Sequence, residues 1–146
     1  MPVDVSTEIT IDRPVNEVAE YATDPSNVPA WYVNIESVEW LTAPPVQVGS
    51  QVKFVARFLG RRLAYTYEFV ELVPGDRLVM RTAQGPFPME TTYAWSSAGE
   101  GRTRMMLRNR GEPSGFSKMM TPFMSGAMRR ANRKDLARLR SILETS

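Results

Sequence analysis

The feature that most constrains this chain is a change of hydrophobic period near Gly115. Before it, apolar and polar residues alternate in short runs, the period of two that a half-buried strand requires. After it, Phe116, Met119, Met120, Phe123, Ala127, Met128, Ala131, Leu139 and Ile142 recur at three and four residues, which predicts one long amphipathic helix over Phe116–Glu144. Pro122 falls inside that pattern, and an interior proline loses a backbone hydrogen bond. Either the helix is kinked there, or, as the slightly favoured reading, Phe116 to Met120 forms a separate turn and the main helix starts at Thr121. An antiparallel sheet with one apolar face, and a single long helix to cover it, leave few architectures.

The strands are read in order. Val3 to Ile11 places Val3, Val5, Thr7, Ile9 and Ile11 on one face and Asp4, Ser6, Glu8 and Thr10 on the other. Val15, Val18, Ala19 and Ala22 then fall at helical spacing behind Pro14, and Val28 to Tyr32 can add a short second helix. Ile35 to Leu41 alternates again. Val52 to Phe58 and Leu63 to Phe69 flank Gly60-Arg61 as a hairpin, and Leu78 to Thr82, Pro88 to Ser97 and Thr103 to Asn109 continue the meander. The expected fold is α+β: about seven antiparallel strands curved around the long helix, with two short helices after the first strand. At 146 residues the chain suits a single domain over 1–146.

The absence of cysteine and histidine excludes disulfides, thiolate nucleophiles and metal sites built on sulfur or imidazole. It also removes the side chain that most often moves protons near neutral pH. No metal or cofactor is expected. No apolar run approaches the ~20 residues that span a bilayer, and the first residues carry no basic stretch followed by an apolar one. A cytoplasmic location without membrane insertion is the expectation. Arg129, Arg130, Arg133, Lys134, Arg138 and Arg140 crowd the last helix around a lone Asp135, which reads as a solvated outer face. Aromatic residues are not interleaved with these cations, so no nucleic-acid partner is expected.

One helix cannot fill the concavity of a strongly curved sheet, which leaves room for a cavity. Trp31, Phe54, Phe58, Tyr65, Tyr67, Phe87, Tyr93, Trp95 and several methionines, among them Met80, Met89 and Met105, fall on faces that should point inward. Methionine suits an adaptable wall, and an inward tyrosine needs a partner for its hydroxyl. The candidate ligand contacts are Trp31, Phe54, Tyr67, Tyr93, Met105, Phe123, Met124 and Ala127, with Trp31 expected at the cavity mouth.

The order of elements, together with Ile11-Asp12-Arg13-Pro14-Val15, Asp24-Pro25, Trp31, Val48-Gly49-Ser50, Pro74-Gly75-Asp76-Arg77-Leu78, Gly85-Pro86-Phe87, Gly101-Arg102-Thr103 and the terminal Asp135 to Glu144 run, resembles the SRPBCC superfamily. This is the START-like, helix-grip fold, in its polyketide cyclase/dehydrase branch. The resemblance implies a hydrophobic cavity beneath the long helix and binding or transport of a small lipid, isoprenoid, steroid or polyketide. An alternative is a cyclase or dehydratase with no metal, Cys or His chemistry, using Tyr65, Tyr67 or Tyr93 with Arg81, and Glu68 or Glu90 as base. Strand parity places those charged residues on the outer face instead. A second alternative is a protein-interaction module using the Arg129 to Arg140 surface. The oligomeric state, monomer or homodimer, is open.

Overall fold

A computed structural model describes residues 3–58, 60–84, 88–111 and 121–145. The expectations for Phe87, Phe116, Met119 and Met120, and for the Phe58 side chain, lie outside the described residues. β1 (Val3–Ile11) is followed by α1 (Val15–Thr23), a single 3-10 turn at Pro25–Asn27 and α2 (Val28–Trp31). Then come β2 (Ile35–Trp40), β3 (Gln51–Phe58), β4 (Arg61–Val73), β5 (Arg77–Gln84), β6 (Met89–Gly99), β7 (Arg102–Gly111) and α3 (Thr121–Glu144). α3 is described from Thr121 onward, so the expected turn before it and the helix start itself lie outside the described residues.

The seven strands form one antiparallel sheet in the order β1-β7-β6-β5-β4-β3-β2. β2 to β7 are a simple meander, and β1 closes onto β7 from Val3 opposite Gly111 to Ile11 opposite Thr103. β1 and β2 therefore lie at opposite edges, and the two short helices carry the chain between them. Pro74-Gly75-Asp76 makes the β4–β5 turn as its composition predicts: Gly75 has φ +75°, where an L side chain is strained, and the Asp76 N–H donates to the Val73 carbonyl at 3.0 Å. Register shifts within the β4–β5 and β2–β3 pairs bend the sheet.

α3 packs against β1 and α2 and lies across the concave face. Alternation sorts the side chains. Val3, Val5 and Ile11 of β1, and Thr103, Met105 and Leu107 of β7, are buried. Arg81, Glu90 and Arg110 form an ion-pair chain on the other face (Arg81 Nε to Glu90 at 2.7 Å, Arg110 to Glu90 at 3.1 Å), and Gln51 donates to Glu68 at 3.1 Å.

The core falls into two clusters. The larger joins α1, α2, the sheet centre and Leu136, Leu139 and Leu143 of α3. The smaller joins Val3, Val5, Leu63, Tyr65, Met124 and Met128. At the other end of α3, Glu144 accepts the Asp12 N–H at 2.8 Å, and its carbonyl accepts Arg13 Nη2 at 2.9 Å, fastening the helix to the end of β1.

Candidate functional site

A cavity of about 130 Å³ lies between the two core clusters, under α3. Its walls draw on both: Val28, Phe54, Met80 and Tyr93 from the larger, Leu63, Tyr65 and Met128 from the smaller, with Tyr67 packed against each. A curved sheet and a straight helix diverge where neither carries a side chain large enough to fill the gap. Here α3 presents Met128, Ala131, Asn132 and Asp135, four positions on one helical line, of which only the first is large and apolar.

The aromatic wall is continuous. Phe54 and Tyr67 meet nearly edge to face with centroids 5.9 Å apart, and Tyr65 and Tyr67 lie 6.0 Å apart. Tyr32, the residue that ends α2, turns its phenol onto Tyr93 of β6, with oxygens 2.7 Å apart. Burial raises the pKa of Tyr32, Tyr65 and Tyr93, and pushes Tyr67 up to about 12 against an opposing hydrogen bond with Thr91. These phenols stay protonated near neutral pH and offer apolar faces and neutral hydrogen-bonding groups.

The polar corner is on α3. Asp135 is 2% exposed, and its Oδ1 accepts the Val33 N–H at 2.8 Å. Burial raises its carboxyl to about 6, with the Val33 bond and the charge of Arg138 pulling the other way. Beside it Asn132 is buried, and its Nδ2 has no hydrogen-bond partner among the described residues. Across the cavity Thr91 donates to Asn109 Oδ1 at 2.9 Å. Arg57 is the one cation among the described wall residues. It is largely exposed and ion-paired with Glu36. The site can thus hold a mostly apolar molecule and recognise one polar group on it. Among the described residues no three carboxylates converge as a metal site would need.

The structure gathers Phe54, Tyr67 and Tyr93 in the cavity wall. It places the other expected contacts elsewhere. Trp31 is fully buried one layer behind, with its ring 4.3 Å from Tyr32 and 5.6 Å from Tyr93, so Tyr32 and not Trp31 faces the cavity from α2. Met105 is buried in the larger core and Met124 in the smaller, neither in the wall. Ala127 is half-buried outside the wall, and Phe123 is 61% exposed. The expected inward orientation of Phe123 is corrected by helical phase: Met124, Met128, Asn132 and Asp135 define the inward line, and a 100° step from Met124 carries Phe123 off it.

Tyr32, Asn132 and Asp135 are among the wall residues that the sequence reading missed. The available signal was two polar residues interrupting the inward line between Met128 and Leu139. The exposed Arg129, Arg130, Arg133, Lys134 and Arg140 do form a solvated outer face, and Arg138 adds a bond from its Nε to the Ala30 carbonyl at 2.7 Å.

The model of the family described as polyketide cyclase / dehydrase and lipid transport matches residues 2–144. Solved structures share the fold over nearly the whole chain. A protein of Thermus thermophilus superposes with TM-score 0.84 at 22% identity, covering 98% of this chain and 99% of that one. A START superfamily protein from Mycobacterium smegmatis gives 0.84 at 14% identity, covering 98% of each. An aromatase/cyclase from a Streptomyces species gives 0.83 at 17%, covering 99% of this chain and 94% of that one. None of the curated proteins matches the sequence. No helix among the described residues is long and apolar enough to cross a membrane.

Proposed function

This chain belongs to the polyketide cyclase / dehydrase and lipid transport family, and from that premise we propose that it binds a small, mostly apolar molecule in the cavity beneath α3. The observation that carries this reading is the contrast within the wall: five aromatic rings and several aliphatic side chains surround one corner where the Asn132 amide lacks a partner and Asp135 is nearly enclosed. A buried donor without an acceptor costs stability that a bound polar group restores. Phe54, Tyr67, Tyr93 and Tyr32 contact the ligand in this reading, and Trp31 holds the last two in place from behind.

The cavity's size favours a ligand whose enclosed part is about one ring, since an apolar cavity of ~150 Å³ accommodates benzene. Native mass spectrometry and thermal shift with single-ring, fused-ring and fatty-acid probes test the reading. Saturable stabilisation by at least one class is expected. Uniform silence across all three would remove it.

One observation favours a second reading. Asp135 is the only carboxyl among the described wall residues, and burial raises it to about 6, the range that suits a proton-transferring group in a cyclisation or dehydration. Arg81, Glu68 and Glu90 do not line the cavity. Turnover of a linear polyketide mimic by the wild type, and none by Asp135→Asn, is the outcome this reading requires.

A further inference from the structure

The cavity wall carries a charge that nothing inside it matches. Asp135 lines the same cavity as Tyr32, Tyr67 of β4 and Tyr93 of β6, and it accepts the N–H of Val33, the residue after Tyr32. Its charge also raises the pKa of Tyr32 and Tyr93. Among the described residues no ion pair reaches Asp135. Arg138, the cation that bears on it, is exposed and committed to the Ala30 carbonyl, and Arg57 at the cavity wall is committed to Glu36. Oδ1 of Asp135 takes the Val33 N–H, which leaves Oδ2 for another donor. Asn132, 4% exposed, has an Nδ2 with no acceptor.

A carboxylate enclosed by aromatic rings is a combination suited to an organic cation, which gains from the opposite charge and from the electron-rich ring faces together. An anionic occupant would meet the carboxylate as a like charge. A purely apolar one would leave both Asp135 and Asn132 unanswered.

We propose that the occupant is a small arylalkylamine, about one ring in size, whose ammonium group pairs with Asp135 beside Tyr32, Tyr67 and Tyr93 while a neighbouring hydroxyl oxygen accepts from Asn132. This rests on the ligand-binding reading of the same cavity and adds the ligand's charge. Because burial holds the Asp135 carboxyl at about 6, the anion that pairs with the amine is largely present at pH 7 and largely lost at pH 5. Amine affinity should therefore fall about tenfold between them.

The test is calorimetric titration of the full chain with three probes sharing a ring and a hydroxyl: phenylethanolamine, phenylethylene glycol and mandelate. At pH 7 the amine is expected to bind at least tenfold more tightly than the neutral diol, with mandelate weakest, and to lose about tenfold at pH 5 while the diol changes little. In Asp135→Asn, which keeps an acceptor for Val33, the amine's advantage should vanish. The wild-type comparison at two pH values stands even if that variant folds poorly. Diol or mandelate binding as tightly as the amine overturns the proposal and leaves the ligand-binding reading intact. So does binding of fused-ring or fatty-acid probes with none of these three. Silence from every probe overturns both.

Discussion

The phenol oxygens of Tyr32 and Tyr93 stand 2.7 Å apart, joining the end of α2 to the middle of β6 across the cavity wall. Trp31, next to Tyr32 in sequence, packs against both rings from behind. The short helix is thereby held to the sheet by one part-buried hydrogen bond and a cluster of three tilted rings, and the cavity's shape at that end depends on their staying together.

Removing either hydroxyl leaves the other without its partner in a buried place, which typically costs 1–3 kcal/mol. Tyr32→Phe and Tyr93→Phe should each destabilise by about 1–2 kcal/mol, and the double variant by clearly less than their sum. Urea denaturation of the four proteins measures the coupling. Additive losses would show that the two hydroxyls act independently.

Asp135 makes stability depend on pH in an unusual direction for a carboxyl. Its pKa is raised by burial to about 6 from the ordinary 3.8, so the folded protein keeps a proton that the unfolded chain has released. The stability this group contributes is present below about 4 and is lost as pH rises through about 6, on the order of 2–3 kcal/mol in all. Asp135→Asn should match the wild type near pH 4 and be more stable by on the order of 2 kcal/mol at pH 8. Urea midpoints across that range check it, and a wild type at least as stable as the variant at pH 8 contradicts it.

The inward line of α3 can be tested with adjacent residues. Met124 is fully buried, and Met124→Ala should cost about 2–4 kcal/mol. Phe123 is 61% exposed, and Phe123→Ala should stay within about 0.5 kcal/mol despite the larger side chain removed. Comparable losses at both positions would mean that the helix is rotated from the orientation described.

Ala131 lines the cavity without filling it. Ala131→Leu puts a good helix former at the same site and extends its side chain into the ~130 Å³ space. Ligand affinity is expected to drop at least tenfold while Tm falls by no more than a few degrees. Unchanged affinity, read by titration with any probe that binds the wild type, would place the ligand outside this cavity.

Most of the fold was legible because the local periods agree with the global architecture. β1 alternates cleanly, and the helical period from Thr121 to Glu144 runs the length of the described helix. β4, by contrast, runs on to Val73 and not Phe69, and β5 to Gln84 and not Thr82, because pairing with a neighbouring strand extends a ladder past the end of its apolar signal.

The site was read only in part, for two reasons. Phe54, Tyr67 and Tyr93 sit on strands, where parity leaves two choices of face. Tyr32 ends a four-residue helix, which is too short to establish a phase. Asn132 and Asp135 are polar and lie among arginines, so composition assigned them to solvent. Their spacing from Met128 and Leu139 is what puts them inside, and that emerges only once the helix has a sheet to face.

The pairing of β1 with β7 joins Val3 to Gly111, and this has a consequence for how the protein is made. During synthesis the first strand has no partner until the seventh has left the ribosome, and α3, which packs against β1, follows later still. The meander from β2 onward can assemble hairpin by hairpin, whereas the last edge and the helix that roofs the cavity join through late, long-range contacts. Enclosure of the cavity is then among the last events of folding, so a nascent chain short of α3 has the cavity's sheet wall but no enclosed space.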